Sequence, residues 1–422
     1  MTTAHDEPAR VLPTEPVLPA EVDVVVVGAG LMGASAAWAA ARRGLSVVLL
    51  EQFDIGHAHG SSHGSARIVR RAYADPLYAG MTGLAFESWR ELELDTGASL
   101  LRLTGGLDHG RGRAVPQIAA ALSEVGVPYE LLPAEEAERR WPGMRFSGDV
   151  IFHAQAGTVD AAATVAAASS RARELGAVLA PHTRLLRLRV EGGGEVTVQT
   201  DRGDVRASRV IVAAGAWVVD LLRDVLASAS VALPPLAVTQ QQIFHFARRA
   251  GVPEWPIAIQ KDVLDIYSLP GGADGGPAGA RKVAEHLADV TSSHPVTPST
   301  RSGVVDDRAR TRIVEYVERW LPGLVPEPFA EATCLYTTTP DEDFVLDRVG
   351  PVVVCSPCSG HGAKFAPLIG ELTVDLASGV STTPDGTLDP ARARLLAQPR
   401  FTLGGHRAGT RVTASTAGVE GR

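Results

Sequence analysis

A chain of 422 residues with a formal net charge of −8, 45% hydrophobic and 21% charged residues has the composition of a globular protein long enough for two or three domains. The acidic balance speaks against nucleic acid or an anionic membrane as the main partner, and no apolar run reaches the length of a bilayer span. Three cysteines do not make a disulfide framework. The first 20 residues, MTTAHDEPARVLPTEPVLPA, lack the basic-then-apolar order of a signal peptide and read as a disordered lead-in, so a cytoplasmic location is expected.

The chain then enters its organising stretch, residues 23–51, DVVVVGAGLMGASAAWAAARRGLSVVLLE. A β-branched run leads into Gly28, Gly30 and Gly33, followed by an alanine-rich helix, a second strand and an acid at Glu51. This strand–turn–helix–strand order is the dinucleotide-binding unit. Gly28 permits the tight turn, Gly30 lets backbone approach a pyrophosphate, and Gly33 lets the helix pack on its strand. The helix N-terminus offers unpaired N–H groups to phosphates. Glu51, placed to accept both hydroxyls of an adenosine ribose, favours FAD or NAD over NADP.

Residues 57–73, HAHGSSHGSARIVRRAY, read as a loop returning across the nucleotide, with a helix near 76–94 after it. Arg67 and Arg70, three apart, would share a face on a helical turn and suit a carboxylate; Arg71 reads as solvated. Short strands and a helix at 115–126 end in the turn signal RRWPG at 139–143. A helix is expected over 160–175, then an antiparallel meander at 185–190, 195–200 and 205–207. Residues 208–217, SRVIVAAGAW, read as a separate buried parallel strand ending at glycine. Sheet is expected at 236–246, 257–259 and 263–269, with a flexible loop at 271–279. A helix at 311–320, strands at 344–346 and 352–354, and a helix at 367–377 complete the pattern. The expectation is an α/β (α+β) fold: a Rossmann-like nucleotide-binding domain (21–100, 156–235, 332–398) interleaved with a sheet-rich substrate domain (101–155, 236–331), and a flexible tail from 399.

Several motifs together make the chain resemble the monomeric sarcosine oxidase and N-methyltryptophan oxidase family, within the D-amino-acid-oxidase-like flavoproteins. They are GAGLMG with Glu51, SSHGSARIVRRAY (61–73) against the family's SHHGxTRIxRxAY, and AAGAW (213–217). CLYTTTPDEDFVLD (334–347) lies against CxYTxTxDxxFxID, and SGHGAKFAPLIGE (359–371) against SGHGFKFxxxxGE. The resemblance covers roughly residues 22–395. It implies FAD bound through Gly28, Gly30, Gly33, Glu51, Gly215, Gly360 and Gly362, with Cys334 forming a thioether to the flavin. A thiolate of lowered pKa suits that bond. The resemblance also implies that Arg70 and Lys364 hold a substrate carboxylate, that Arg67 and His63 lie against the flavin, and that Tyr267, Tyr336 and His286 line the pocket. Lys282 matches a lysine that activates oxygen, across a Gly/Ala/Pro insertion relative to the family.

The remaining candidates read as structural. Cys355 and Cys358 form a CxxC with no second pair to complete a zinc site; His57, His59 and His361 read as loop residues, and no metal is expected. Ala66, Pro357, Cys358 and Ala363 replace bulkier or more polar family residues, which leaves room for a substrate larger than sarcosine or cyclic. The implied function is oxidation of a secondary amino acid to an imine, with oxygen reduced to hydrogen peroxide, by a monomer whose partners are an amino acid and oxygen. The rivals are a flavin dehydrogenase that passes electrons to a carrier, a biosynthetic oxidase of a cyclic imino acid, and a non-catalytic flavin-binding protein.

Overall fold

The computed structural model describes residues 16–406, apart from 263, 274, 277, 278, 287–295 and 388. The motif stretch sits at the centre of the first sheet. Strand Glu21–Val27 pairs in parallel with Val47–Leu50 on one side and Gly203–Val212 on the other. Val178–Ala180 and Val352–Ser356 extend the parallel set outward. Alternation along these strands separates two cores. Val24 and Val26 face helices Leu31–Arg42, Ala161–Glu174 and Ala366–Ser378. Val25 and Val27 face the meander and helix Val218–Ser228. Helices Leu31–Arg42 and Ala366–Ser378 approach closely because their contact is made of small residues. A Cβ on Gly370 would stand 2.5 Å from the Ser35 backbone.

The second sheet runs in the order Leu324–Thr338, Ala237–Arg248, Arg281–Glu285, Asp265–Pro270, Ile257–Lys261, Gly106–His109, Val150–His153, Glu130–Leu132. It is antiparallel except between Ile257–Lys261 and Gly106–His109. Helix Asp307–Trp320, capped by Asp306 accepting from the Ala309 N–H, covers one face with Ile313 and Val317 against Phe244, Phe246 and Val283. The other face carries Ile243, Tyr267, Ala284, Cys334 and Tyr336, and the period of two puts Lys282 beside Ala284 there. Among the described residues no helix is long and apolar enough to cross a membrane.

Several expectations are corrected. Arg67–Arg70 is a strand, not a helical turn, paired with Ala156–Val159. With Leu101–Leu103 it makes a small third sheet, so Leu101–Leu103 pairs with a strand from outside the segment 101–155, while the boundary expected at 155 falls between Val150–His153 of the second sheet and Ala156–Val159 of the third. The strands read at 205–207 and 208–217 are one strand, Gly203–Val212, which changes partner along its length and ends before the turn Gly215–Trp217. The flexible tail does not begin at 399. Phe401 and Leu403 are buried, and Arg400 bonds both Asp75 and Asp343; residues 407–422 lie outside the described residues. The lead-in is shorter than 20 residues, since Pro16 O accepts from Arg202 and Leu18 packs on the core; residues 1–15 lie outside the described ones. Arg71 is half-buried and bonded to Thr82 and Gln155 rather than solvated.

Candidate active site

A cleft of about 440 Å³ runs from the carboxyl ends of the parallel strands to the second sheet, where open α/β sheets bind ligands. Gly28, Gly30, Glu51 and Gly215 line it near the first sheet, and Arg67, Tyr336, Gly360 and Gly362 are also in its wall. Gly28 has φ +96°, and a Cβ there would lie 2.7 Å from Ala213 O. A Cβ on Gly33 would lie 1.7 Å from Gly28 O, so Gly33 keeps the turn closed without lining the cleft.

Glu51 is buried and accepts from the Ala29 and Phe53 N–H groups at 2.9 and 3.0 Å, with His57 Nε2 at 3.4 Å. Burial alone would raise its carboxyl, but the bonds from His57, Ala29 and Phe53 outweigh it and hold the group ionised below its usual range. The Glu51 carboxylate, the glycine backbone of the turn and the helix N-terminus that line this end together fit an adenine dinucleotide. Sequence reading missed the serines that close this end. Ser62 Oγ accepts from the Leu31 N–H at 3.0 Å, and Ser61 Oγ bonds Leu335 O, tying the loop to the second sheet.

At the other end, Gly360 (φ +72°) passes so close to Tyr336 and His286 that a Cβ would stand 2.4 and 2.7 Å from their rings; one on Gly362 would stand 1.7 Å from Pro357 O. Arg67 donates to Ala66 O, Ser61 O and His63 O, which fixes the loop carrying His63. Lys282 is buried, with Nζ 3.3 Å from Ala66 O. Tyr267 and Tyr336 bond to each other through their hydroxyls, and burial pushes Tyr267 up to about 12. Burial also pulls the His286 imidazole below its usual range. Cys334 shares this face, but it is not among the residues lining the cleft. Burial raises its thiol, and the charges of Arg67 and Lys282 pull the other way; the lowered pKa expected from sequence is therefore not the resting state of the thiol. Cys355 and Cys358 line the cleft as free thiols, both raised by burial.

Arg70 leaves the strand away from Arg67, as residues three apart on a strand must. Its guanidinium stands 4.5 Å from the Tyr73 ring, and Lys364 Nζ stands 5.6 Å from the same ring. Lys364 Nζ donates to His361 O at 2.7 Å. Burial, then Arg70 and Arg113, hold its ammonium well below the usual lysine range. His361 bonds Tyr73 Oη and Glu342 O, a loop-supporting arrangement. Sequence reading also missed Asp108, with Arg113 and His153, which meet Arg70 around its carboxylate. The signal was there in GLDH (106–109), a polar pair inside a short strand that is buried throughout. Among the described residues no three His, Cys, Asp or Glu side chains are grouped to hold a metal ion.

Residues 23–376 match the family of FAD dependent oxidoreductases. The chain is 34% identical over 388 residues to the monomeric sarcosine oxidase of Streptomyces avermitilis, covering 88% of this chain and 97% of the relative. It is 30% identical to the peroxisomal sarcosine oxidase of Homo sapiens, with 88% and 95% covered. Among solved structures it resembles the open form of NikD, an unusual amino acid oxidase essential for nikkomycin biosynthesis, at TM-score 0.76 and 27% identity, covering 89% and 97%. L-proline dehydrogenase from P. horikoshii, at TM-score 0.76 and 20% identity over 92% and 98%, shares the fold.

Proposed function

Because the chain belongs to the FAD-dependent oxidoreductases, beside the sarcosine oxidases, we propose that it oxidises the C–N bond of a carboxylated secondary amine, an N-methyl or cyclic amino acid, to an imine. Oxygen is the electron acceptor and is reduced to hydrogen peroxide; water then hydrolyses the imine. FAD, when bound, supplies the two-electron oxidation that no side chain here can perform.

The observation that carries this reading is the meeting of Arg70 and Lys364, from opposite ends of the chain, at the ring of Tyr73. Two basic groups meet on one aromatic ring, Lys364 buried and Arg70 nearly so, and a substrate carboxylate would engage both by charge-assisted bonds and favour the protonated lysine. Fixing the carboxylate there orients the amine toward the cleft. Tyr267, Tyr336 and His286 would form the pocket wall around that amine. Lys282, with Arg67 beside it, would stabilise the anion made when oxygen takes an electron, by preorganised charge. Cys334 would hold the flavin through a thioether. The swaps at Ala66, Pro357, Cys358 and Ala363 favour a substrate bulkier than sarcosine. The work is done by a monomer, in keeping with the name of the Streptomyces avermitilis relative, and its three free cysteines suit a reducing cytoplasm.

The test is a peroxide-release screen across N-methyl amino acids, proline, pipecolate and cyclic imino acids. Release of peroxide with at least one of these, in step with oxygen uptake, is expected. Reduction of the bound flavin without peroxide release would move the protein to the dehydrogenases.

A further inference from the structure

Arg70 carries its charge in the interior, yet it does not close on the carboxylate beside it. Asp108 is wholly buried in strand Gly106–His109, between Ile257–Lys261 and Val150–His153. Arg113, on the turn that follows, takes Asp108 Oδ1 at short range, with Nε at 2.8 Å and Nη2 at 2.6 Å. Arg70 Nη1 stops 3.8 Å from that same oxygen. His153 Nε2 lies 3.9 Å from Oδ2, and burial holds that imidazole down at about 4, so it is neutral. Among the described residues, Arg70 Nη1, Asp108 Oδ2 and both His153 nitrogens have no hydrogen-bond partner.

An ion pair that served stability alone would close to a bonded, often two-pronged contact. Arg113 has made such a contact and Arg70 has not. Buried polar atoms without partners are rare, and each needs a reason. Here an unfilled donor and an unfilled acceptor belong to side chains within 4 Å of each other, kept apart because Arg113 fills the near oxygen and Tyr73 holds the Arg70 guanidinium over its ring.

We propose that Asp108, held by Arg113, is a positioning residue for the substrate carboxylate: it anchors the Arg70 guanidinium by charge and leaves an N–H of that guanidinium for the substrate. This rests on the reading that Arg70 and Lys364 bind a carboxylate. The charged groups facing the arrangement are Arg70, Arg113 and Lys364 against Asp108; Asp265, which also acts on Arg70, is itself paired with Lys261 at 3.3 Å. With that pair balanced and Lys364 protonated, cations exceed anions by two, which leaves unmatched charge for one incoming carboxylate. Asp108 repels that carboxylate while it fixes the group that receives it, so it gives up affinity for orientation. Arg113 acts the other way: without it, Asp108 is free to close on Arg70 and compete with the substrate.

Two variants of the purified holoprotein should therefore move in opposite directions. Calorimetric titration with acetate, a carboxylate with nothing to oxidise, reads the clamp apart from turnover. Asp108→Asn should bind acetate about fivefold tighter while kcat on the amino acid substrate falls about tenfold. Arg113→Met should bind acetate about tenfold more weakly, and Arg113→Lys should recover most of that loss. Parallel shifts in both variants, or unchanged acetate affinity in Arg113→Met, would overturn the proposal; if Asp108→Asn does not fold, the Arg113 pair decides alone. Arg70→Met separates the two readings. If it binds acetate as the parent does, the carboxylate assignment itself fails; if it loses acetate while the Asp108 and Arg113 variants do not diverge, only the positioning role fails.

Discussion

The Cys334 thiol lies buried within the electrostatic reach of Arg67 and Lys282, on the same sheet face as Tyr267 and Tyr336. Burial keeps it protonated, so formation of the proposed thioether must wait until a bound flavin and the charges of Arg67 and Lys282 favour the thiolate. Acid-precipitated protein should give a yellow pellet, and Cys334→Ala should release the colour to the supernatant; a colourless wild-type pellet would refute attachment without touching FAD binding. Lys282 supports a second prediction. Superoxide is a new anion, whereas taking hydride from the amine needs no cation at that place, so Lys282→Met should slow reoxidation by at least about tenfold. Anaerobic reduction by substrate should change far less. Stopped-flow absorbance separates the two half-reactions, and unchanged reoxidation would pass the role to Arg67. Cys334 and Arg67 were singled out because each sits in a motif, and Lys282 only by a match across an insertion. Asp108 left only the polar pair in GLDH as a signal, and Arg113 and His153 left none, because what makes them notable is that they meet Arg70 around Asp108.

At the scale of elements, glycines and small residues set the distances that position the cleft. Gly370 lies against the Ser35 backbone, so Gly370→Val should overpack the contact of helices Leu31–Arg42 and Ala366–Ser378 and destabilise by roughly 2 kcal/mol or more. Thermal unfolding would show it, and an unchanged midpoint would mean that the helices shift apart freely. The first strand–helix–strand unit was readable because its apolar period, glycines and terminal acid all agree. Arg67–Arg70 was misread because a four-residue segment takes its conformation from Ala156–Val159, far along the chain, and its spacing alone fits a helix equally well. Gly203–Val212 was cut in two because its pattern changes where it passes from an antiparallel partner to parallel ones buried on both faces. The tail beyond 399 looked polar on average, yet Phe401 and Leu403 are buried and Arg400 ties them to Asp75 and Asp343.

For the whole molecule, buried histidines set the acid limit. His109 and His153 are each held by burial at about 4 against an ordinary 6.5, and burial also lowers His286 and His361. A depressed folded pKa gives stability that is fully present above the unfolded value and is lost as pH falls toward the folded one. Stability should therefore fall between about pH 6.5 and 4, by at most roughly 3 kcal/mol for each of His109 and His153, and unfolding midpoints should drop with it. A midpoint flat across that window would show that these imidazoles gain protons in the folded state. The interleaving of the two large sheets has a functional consequence: it brings Lys364, from the end of the first sheet, to Arg70 on the small third sheet, beside the Tyr267 and Tyr336 face. The central claim is that this meeting selects carboxylated amines. Its most direct test is kcat/KM for an amino acid substrate and for the same amine lacking the carboxylate, in the parent protein and in Lys364→Met. The account predicts that the parent prefers the acid strongly and that Lys364→Met loses about tenfold to a hundredfold on the acid alone, the equivalent of one charge-assisted bond. Equal activity of the parent on both amines, or equal losses on both in the variant, would contradict it.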